Sequence, residues 1–472
     1  MNFYATFSIP FIVGVVTMFV VLIVKYGSWI FGLSAADRMR IVKGIPSRQT
    51  PLAVWEVVRE SLLHRRIFKV NPLLGYMHMS LAFGWFLLIV VGWIETVAYL
   101  GFRYVPLHGH VFFKYFATEL PHKPVFDFLM DLLLLFVLSG VTLAFGKRIY
   151  SQAMGMRRTT RHVLGDRIAL SVLWLIFPAR LLAESITCAL HGGGGFLTGT
   201  IGEWMAHHVN PIVLQTLYEP LWWAYSICLG LFFVALPFSR YMHIFTEIPL
   251  IFLRRYKLHS TEKEGSFDRF QTDACSRCGI CIDPCQLQSE LGIDDVQSVY
   301  FLRDRRYNHL RQSVANNCLM CGRCEQRCPV GIELNTLRLN SRDTMRNTPD
   351  EKRYEYFQGV DRSAGEGRVG YFAGCMTLLT PRILLAMERI FKVRAKRSRW
   401  ADKEGGVCCG RPLKLSGETD SARKMMDYNI ALFRKHRITT LVTSCPICLK
   451  VFRRSIISKE SKCCTIPSIC CD

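Results

Sequence analysis

The sequence runs to 472 residues, half of them apolar, with 59 Lys and Arg against 37 Asp and Glu for a net charge of +22. That length leaves room for two or three domains. Apolar residues gather before residue 245 in runs long enough to cross a bilayer, and charges crowd the remainder, which excludes a purely soluble enzyme and a disordered tail protein. Segments 1–259 and 260–472 each carry +11. Nucleic acid is one reading of such a chain. An anionic membrane surface beside the first half and thiolate-rich metal centres within the second account for the charge better, so no nucleic-acid partner is expected.

Roughly 20 residues at about 1.5 Å each cross a hydrocarbon core of about 30 Å. Five stretches meet that length: Phe7–Val24, Gly75–Ile94, Val125–Phe145, Ile168–Ala189 and Leu221–Phe238. No cleavable signal peptide is evident ahead of the first. The connection 34–74 carries Arg38, Arg40, Lys43, Arg48, Arg59, Arg65, Arg66 and Lys69, and 147–167 carries Lys147, Arg148, Arg157, Arg158, Arg161 and Arg167. The opposite connections hold Arg103, Lys114 and Lys123 and, in 191–219, no Lys or Arg. The positive-inside rule therefore puts the N-terminus outside and everything after the fifth span in the cytoplasm, with the chain in the cell inner (plasma) membrane.

His78 lies about one turn into the second span and His243 at the end of the fifth. Opposed chain directions bring the two to similar depth near the inner face, where a pair of imidazoles can clamp a haem b. Two solvated interfacial histidines are the alternative. His108, His110, His122, His191, His207 and His208 fall in outer segments and His162 in an inner one, so one haem is expected rather than two. Charged groups inside spans are functional candidates by default. Arg180 and Glu184 can pair at i,i+4 on the fourth span. With Asp127, Asp131 and Glu95 they could serve a quinone site or a proton path, or be structural.

Two runs of the form C-x2-C-x2-C-x3-C follow: Cys275, Cys278, Cys281, Cys285, and Cys318, Cys321, Cys324, Cys328. Three close cysteines wrap three corners of a cubane and the fourth reaches the other cluster. One [4Fe-4S] cluster is thus expected on Cys275, Cys278, Cys281 and Cys328, and the other on Cys318, Cys321, Cys324 and Cys285. Zinc is the weaker alternative. Segment 286–317 reads as helical, which predicts a helical ferredoxin domain. Seventeen of the 19 cysteines lie from Cys275 onward, which suits a reducing compartment.

The pattern changes again at Arg368. A short strand ends at Cys375, a helical stretch covers Pro381–Lys392, and Gly405-Gly406-Val407-Cys408-Cys409-Gly410 comes next. A helix around Ser421–His436 leads to the strand Thr440–Ser444, which runs into Cys445-Pro446-Ile447-Cys448. Alternating strands and helices predict an α/β domain with a parallel sheet and its cysteines at strand carboxyl ends. Five converging cysteines exceed the four that one cubane needs, which implies an unusual cluster; a redox C-x2-C dithiol is the alternative. Arg411, Lys414, Arg453 and Arg454 nearby can attract an acidic partner.

The spacing Cys375, Cys408-Cys409-Gly410, Cys445-x-x-Cys448 resembles the cysteine-rich CCG domain of heterodisulfide reductase B and D subunits and of glycolate and lactate oxidation proteins. His78 and His243, with Pro237-x-x-Arg240-x-x-His243, resemble the cytoplasm-side haem pair of the nitrate reductase gamma subunit. Its outer haem histidines have no counterpart. The whole chain is similar to fused membrane iron–sulfur oxidoreductases of the heterodisulfide reductase D/E type. These include proteins that join electron-transferring flavoprotein to menaquinone.

The resemblance implies a transmembrane five-helix haem b domain over 1–255, a dicluster [4Fe-4S] ferredoxin domain over 256–350 and a CCG domain over 366–472. It implies a further cluster on Cys375, Cys408, Cys409, Cys445 and Cys448 as the catalytic exchange point. Partners would be a menaquinone or other quinone and a cytoplasmic redox protein, electron-transferring flavoprotein or a dehydrogenase. Two CCG repeats are common in such proteins. This chain has one, which suggests truncation, and Cys463, Cys464, Cys470 and Cys471 are assigned no ligand role. A thiol–disulfide reductase acting at the CCG cluster and a non-catalytic anchor are the alternative functions.

Overall fold

The computed structural model describes residues 3–150, 163–261, 265–345, 361–394, 397–403, 407–455 and 462–465. Arg157, Arg158, Arg161, His162, Gly405, Gly406, Cys470 and Cys471 lie outside the described residues, as do the side chains of Arg148, Arg454, Cys463 and Cys464. The chain divides into two compact units, Met1–Leu334 and Asn335–Asp472.

The first unit contains five helices long and apolar enough to cross a membrane: Thr6–Phe31, Pro72–Leu100, Pro124–Lys147, Leu164–His191 and Pro211–Phe238. Several start where sequence chemistry says they should. Pro72, Pro124 and Pro211 occupy first-turn positions, where a missing N–H costs nothing, and the Asn71 and Asn210 side chains cap the free amides of Leu74 and Ile212. Val13, Val16, Val20, Ile23 and Val24 of the first span point outward, which suits lipid and not water. Spans one and five cross closely because Gly14 and Gly230 face each other's helices; a Cβ on either would strike backbone.

The fifth span begins ten residues before its predicted start, since Pro220 is absorbed within the helix. The 191–219 connection also holds a helix, Thr198–His208, and the basic connection 34–74 is largely helical. His243 is not on the fifth span. Pro237 interrupts that helix, two short 3-10 turns follow, and His243 is the first residue of a separate helix, His243–Arg255. Beyond it the chain forms short helices, including Ser266–Asp273, Ser298–Arg306 and Arg323–Arg327, with no strand among the described residues up to Leu334.

The second unit holds β1 (Val369–Phe372), β2 (Ser398–Trp400), β3 (Thr440–Thr443) and β4 (Lys462–Thr465) in the order β2-β1-β3-β4, all parallel. Alternation along the strands feeds two cores. Phe372 and Leu441 join Phe433 and Phe452 on one face, and Tyr371 and Val442 join Met387 on the other. The terminal segment bearing Cys463 and Cys464 thus supplies a fourth strand of this sheet.

Candidate functional site

The two C-x2-C-x2-C-x3-C runs share one backbone device. Arg277 and Met320, just before the second cysteine of each run, adopt φ of 56° and 55°, and Gly279 and Gly322, just after it, adopt 87° and 78°. Two left-handed residues flanking a cysteine curl the chain around a small volume. Glycine takes that conformation freely, whereas arginine and methionine must be held in it.

Cys275, Cys278, Cys281 and Cys328 line one cavity together with Ser298, Val299 and Val330. Burial pushes up the thiols of Cys278 and Cys281, and Cys328 to about 12, so these groups hold their protons until a metal displaces them. In the second run, Ser298 Oγ donates to Cys324 Sγ at 3.1 Å and Met320 N to Cys318 Sγ at 3.4 Å. Gln297 Nε2 lies 3.9 Å from Cys285 Sγ, so consecutive residues reach cysteines of both runs. Cys321 is exposed. Among the described residues no group of three or more His, Cys, Asp and Glu side chains is drawn together around a single-ion position.

This cysteine region is tied to the ends of the helical bundle. Asp166, in the first turn of the fourth span and fully buried, accepts hydrogen bonds from the Arg277 guanidinium, from Arg240 N at 2.7 Å and from Tyr307 Oη at 3.0 Å. The carbonyl of Arg240 in turn lies 2.7 Å from His243 Nδ1. Burial pushes His243 down to about 3, so the ring is neutral; its proton sits on Nδ1 facing that carbonyl, leaving the Nε2 lone pair for a ligand. On the adjoining side Ile280 and Cys278 pack against Leu74 and Met77, next to His78. One carboxylate therefore links a cysteine loop to a histidine turn, and an apolar cluster links the same loop to the second span.

A third histidine, which the sequence reading did not single out, joins the pair. His64 stacks on His78 with ring centroids 5.6 Å apart and an interplanar angle of 17°, and both interact electrostatically with His243. It is carried there by a π-helical turn, Val58–Leu62, and by its own left-handed backbone at φ 51°. No sequence period announces a π turn, which is why it escaped notice. Two or three neutral imidazoles at one end of a helical bundle are donors suited to haem iron.

A second brace is Glu56. Its buried carboxylate pairs with Arg66 at 3.2 Å, Arg254 at 2.9 Å and Arg255 at 2.6 Å. Arg66 Nη1 also donates to Pro329 O and Arg254 Nη1 to Val330 O, fixing the turn that carries Cys328. The charged groups expected inside the spans fall at the opposite end: Arg180 pairs with Glu184 at 2.8 Å, Asp127 pairs with Lys114, and Asp131 caps the helix starting at Thr198.

In the second unit the sheet does the gathering. β1 and β3 are neighbours whose chains continue in opposite directions across the sheet, and ligands of open α/β sheets sit at the carboxyl ends of such a pair. Cys375 follows β1 and Cys445 follows β3. Cys375 and Cys408 are within hydrogen-bonding reach, as are Cys408 and Cys409, and Cys409 and Cys448. Cys445 packs into the same cluster as Cys409 and Cys448. Cys375 is exposed while Cys409, Cys445 and Cys448 are buried. The hydrogen bond with Cys409, followed by burial, raises Cys408 far above an ordinary thiol. Asp402 was not anticipated. Fully buried, it accepts from Ala373 N at 2.9 Å, Gly374 N at 2.7 Å and Trp400 Nε1 at 3.0 Å, and so shapes the turn that presents Cys375.

Comparison with known proteins agrees with this anatomy. Residues 271–332 match the 4Fe-4S dicluster domain family, and residues 369–453 match the CCG cysteine-rich domain family. An uncharacterized iron-sulfur protein of Methanococcus maripaludis is 24% identical over 176 residues, 31% of this chain and 34% of that relative. The chain thus spans about a third of that relative's length. No solved structure matches. The chain thus carries a 4Fe-4S dicluster domain and a cysteine-rich domain behind five helices long and apolar enough to span a membrane.

Proposed function

We propose that the protein is a quinone-linked oxidoreductase of the inner membrane, passing electrons between a membrane quinone and a cytoplasmic redox protein. In this reading His78 and His243 hold one haem b. Cys275, Cys278, Cys281 and Cys328 hold the nearer [4Fe-4S] cluster, and Cys318, Cys321, Cys324 and Cys285 the other. Cys375, Cys408, Cys409, Cys445 and Cys448 hold the cluster at which the soluble partner exchanges electrons. These groups supply one-electron carriers when bound, and the chain's own residues set their spacing and orientation.

The observation that carries the reading is the Asp166 junction. A buried carboxylate that joins the first cysteine loop through Arg277 and the His243 turn through Arg240 holds two redox ligand sets at a fixed separation. Fixed, short separation is what electron transfer needs and what a passive anchor does not. A second reading, thiol–disulfide reduction at the cysteine-rich domain, is favoured by the fifth thiol: exposed Cys375 is the one a substrate sulfur can approach.

Anaerobically purified protein should show a low-spin haem b spectrum and be reduced by a menaquinol analogue. His243→Ala should abolish the haem. His78→Ala should also abolish it while His64→Ala leaves it shifted but present. The reverse result would make His64 the ligand, and full haem in all three variants would defeat the haem assignment.

A further inference from the structure

The end of the bundle remote from the cysteine loops holds a polar system that electron carriers at the other end do not use. His78 and Glu95 stand 17 residues apart on one helix, which at about 1.5 Å per residue is roughly 25 Å. Around Glu95 the spans bury charge. Arg180 and Glu184 of the fourth span are 8% and 7% exposed and pair with each other, and Tyr225 of the fifth span lies beside Arg180. Lys114, on a short helix Phe113–Phe116, pairs with Asp127 of the third span.

The pairing leaves one group over. Glu95 is 7% exposed and lies within electrostatic reach of both ion pairs, yet among the described residues no hydrogen bond or ion pair reaches its carboxylate. It can exchange a proton without breaking either pair. Glu95 and Lys114 line a small cavity of about 20 Å³ whose other walls include Tyr99, Thr187 and the exposed histidines His122 and His191. Its walls are partly apolar, through Phe113, Ala117 and Leu120, but Glu95, Lys114, Tyr99 and Thr187 supply the polar partners that one water needs, and the two histidines stand at the exposed mouth. Of the other polar groups, Asp131 caps the Thr198 helix, and His110 hydrogen-bonds to the backbone of Val105 while its Nδ1 is buried without a partner among the described residues.

We propose that Glu95 is the relay of a proton path that starts at the Arg180–Glu184–Tyr225 group inside the bundle and leaves through this cavity at the face remote from the Cys275–Cys328 loops. The proposal rests on the quinone reading above and extends it. Oxidation of a quinol releases two electrons and two protons as its two O–H bonds become carbonyls. The electrons travel toward His78 and His243, and the protons travel the opposite way through Glu95. Turnover would then move charge across the membrane.

The test uses the full-length holoprotein in liposomes of known orientation, with dimethylnaphthoquinol as donor and ferricyanide on the side of the Cys275–Cys328 loops as acceptor. Protons should appear in the compartment away from the Cys275–Cys328 loops. Glu95→Gln should slow turnover at least tenfold while leaving the haem spectrum unchanged, and Glu95→Asp should restore part of the rate. Proton release on the cysteine side, or an unaffected Glu95→Gln, overturns the path. A wild type that oxidises no quinol defeats the quinone reading instead, and the path is then decided by infrared spectroscopy of the same liposomes. A carboxylic C=O band absent from Glu95→Gln and shifting promptly in heavy water supports it; no such band, or one that resists exchange, overturns it.

Discussion

The dicluster region and the cysteine-rich region collect their thiols by opposite means. In the first, short spacing does the work: three cysteines within seven residues curl around a cavity because left-handed residues bracket the middle one. In the second, Cys375 and Cys445, 70 residues apart in the chain, come to the same end of the sheet because β1 and β3 pair in register. A locally wound site should fail when one ligand goes. A site assembled by a sheet, with five thiols for four positions, should tolerate some losses and depend more on its scaffold.

The largest expected difference is in metal content. Cys281→Ser should remove one cubane, about four iron atoms per chain, whereas Cys375→Ser should retain its iron and change only the electron paramagnetic resonance signal. Equal iron loss in both variants would erase the distinction. Next come the carboxylates that hold each site. Asp166→Ala leaves the Arg277 guanidinium buried without its partner, which should cost about 3–5 kcal/mol in detergent unfolding. Asp402→Asn keeps the shape but weakens three hydrogen bonds, and should cost about 1–3 kcal/mol. Smaller still is Gly374→Ala. Its φ of +75° disfavours a side chain, and the new Cβ would lie 2.9 Å from Cys448 Sγ. About 1–2 kcal/mol of strain and a perturbed cluster spectrum are expected.

The smallest effect concerns pH. Burial alone would raise Glu56, but the hydrogen bond from Arg255 and the charges of Arg254, Arg255 and Arg66 prevail and hold it below the ordinary carboxylate value. A lowered folded value means the stabilisation is complete above the unfolded carboxylate value and is lost as pH falls through the folded one. Amides around Cys328 should therefore lose hydrogen-exchange protection a few-fold more on acidification in wild type than in Glu56→Gln. Parallel profiles would show that Glu56 does not hold that turn.

Much of this was legible in the residues. Spans, cysteine groups and alternating α/β elements announce themselves by length, spacing and period, and Arg180–Glu184 pairs as its i,i+4 spacing implies. What stayed hidden depends on contacts distant in sequence. Asp166 and Asp402 look like ordinary acidic residues until the fold buries them among donors. His64 needs a π turn to reach His78. His243 was placed on the fifth span because hydropathy continues through Pro237, while the missing N–H of that proline ends the helix there.

The matching left-handed residues of the two cysteine runs have an implication for engineering. Arg277 and Met320 occupy equivalent stations in turns of like backbone, so each run behaves as a cartridge carrying its own label, although between their cysteines the two share only Gly279 and Gly322. The arginine label is addressed to Asp166 and attaches its cartridge to the bundle; the methionine carries no such address. Exchanging the two side chains would test whether a single residue type decides which cluster is wired to the membrane and which faces the rest of the circuit.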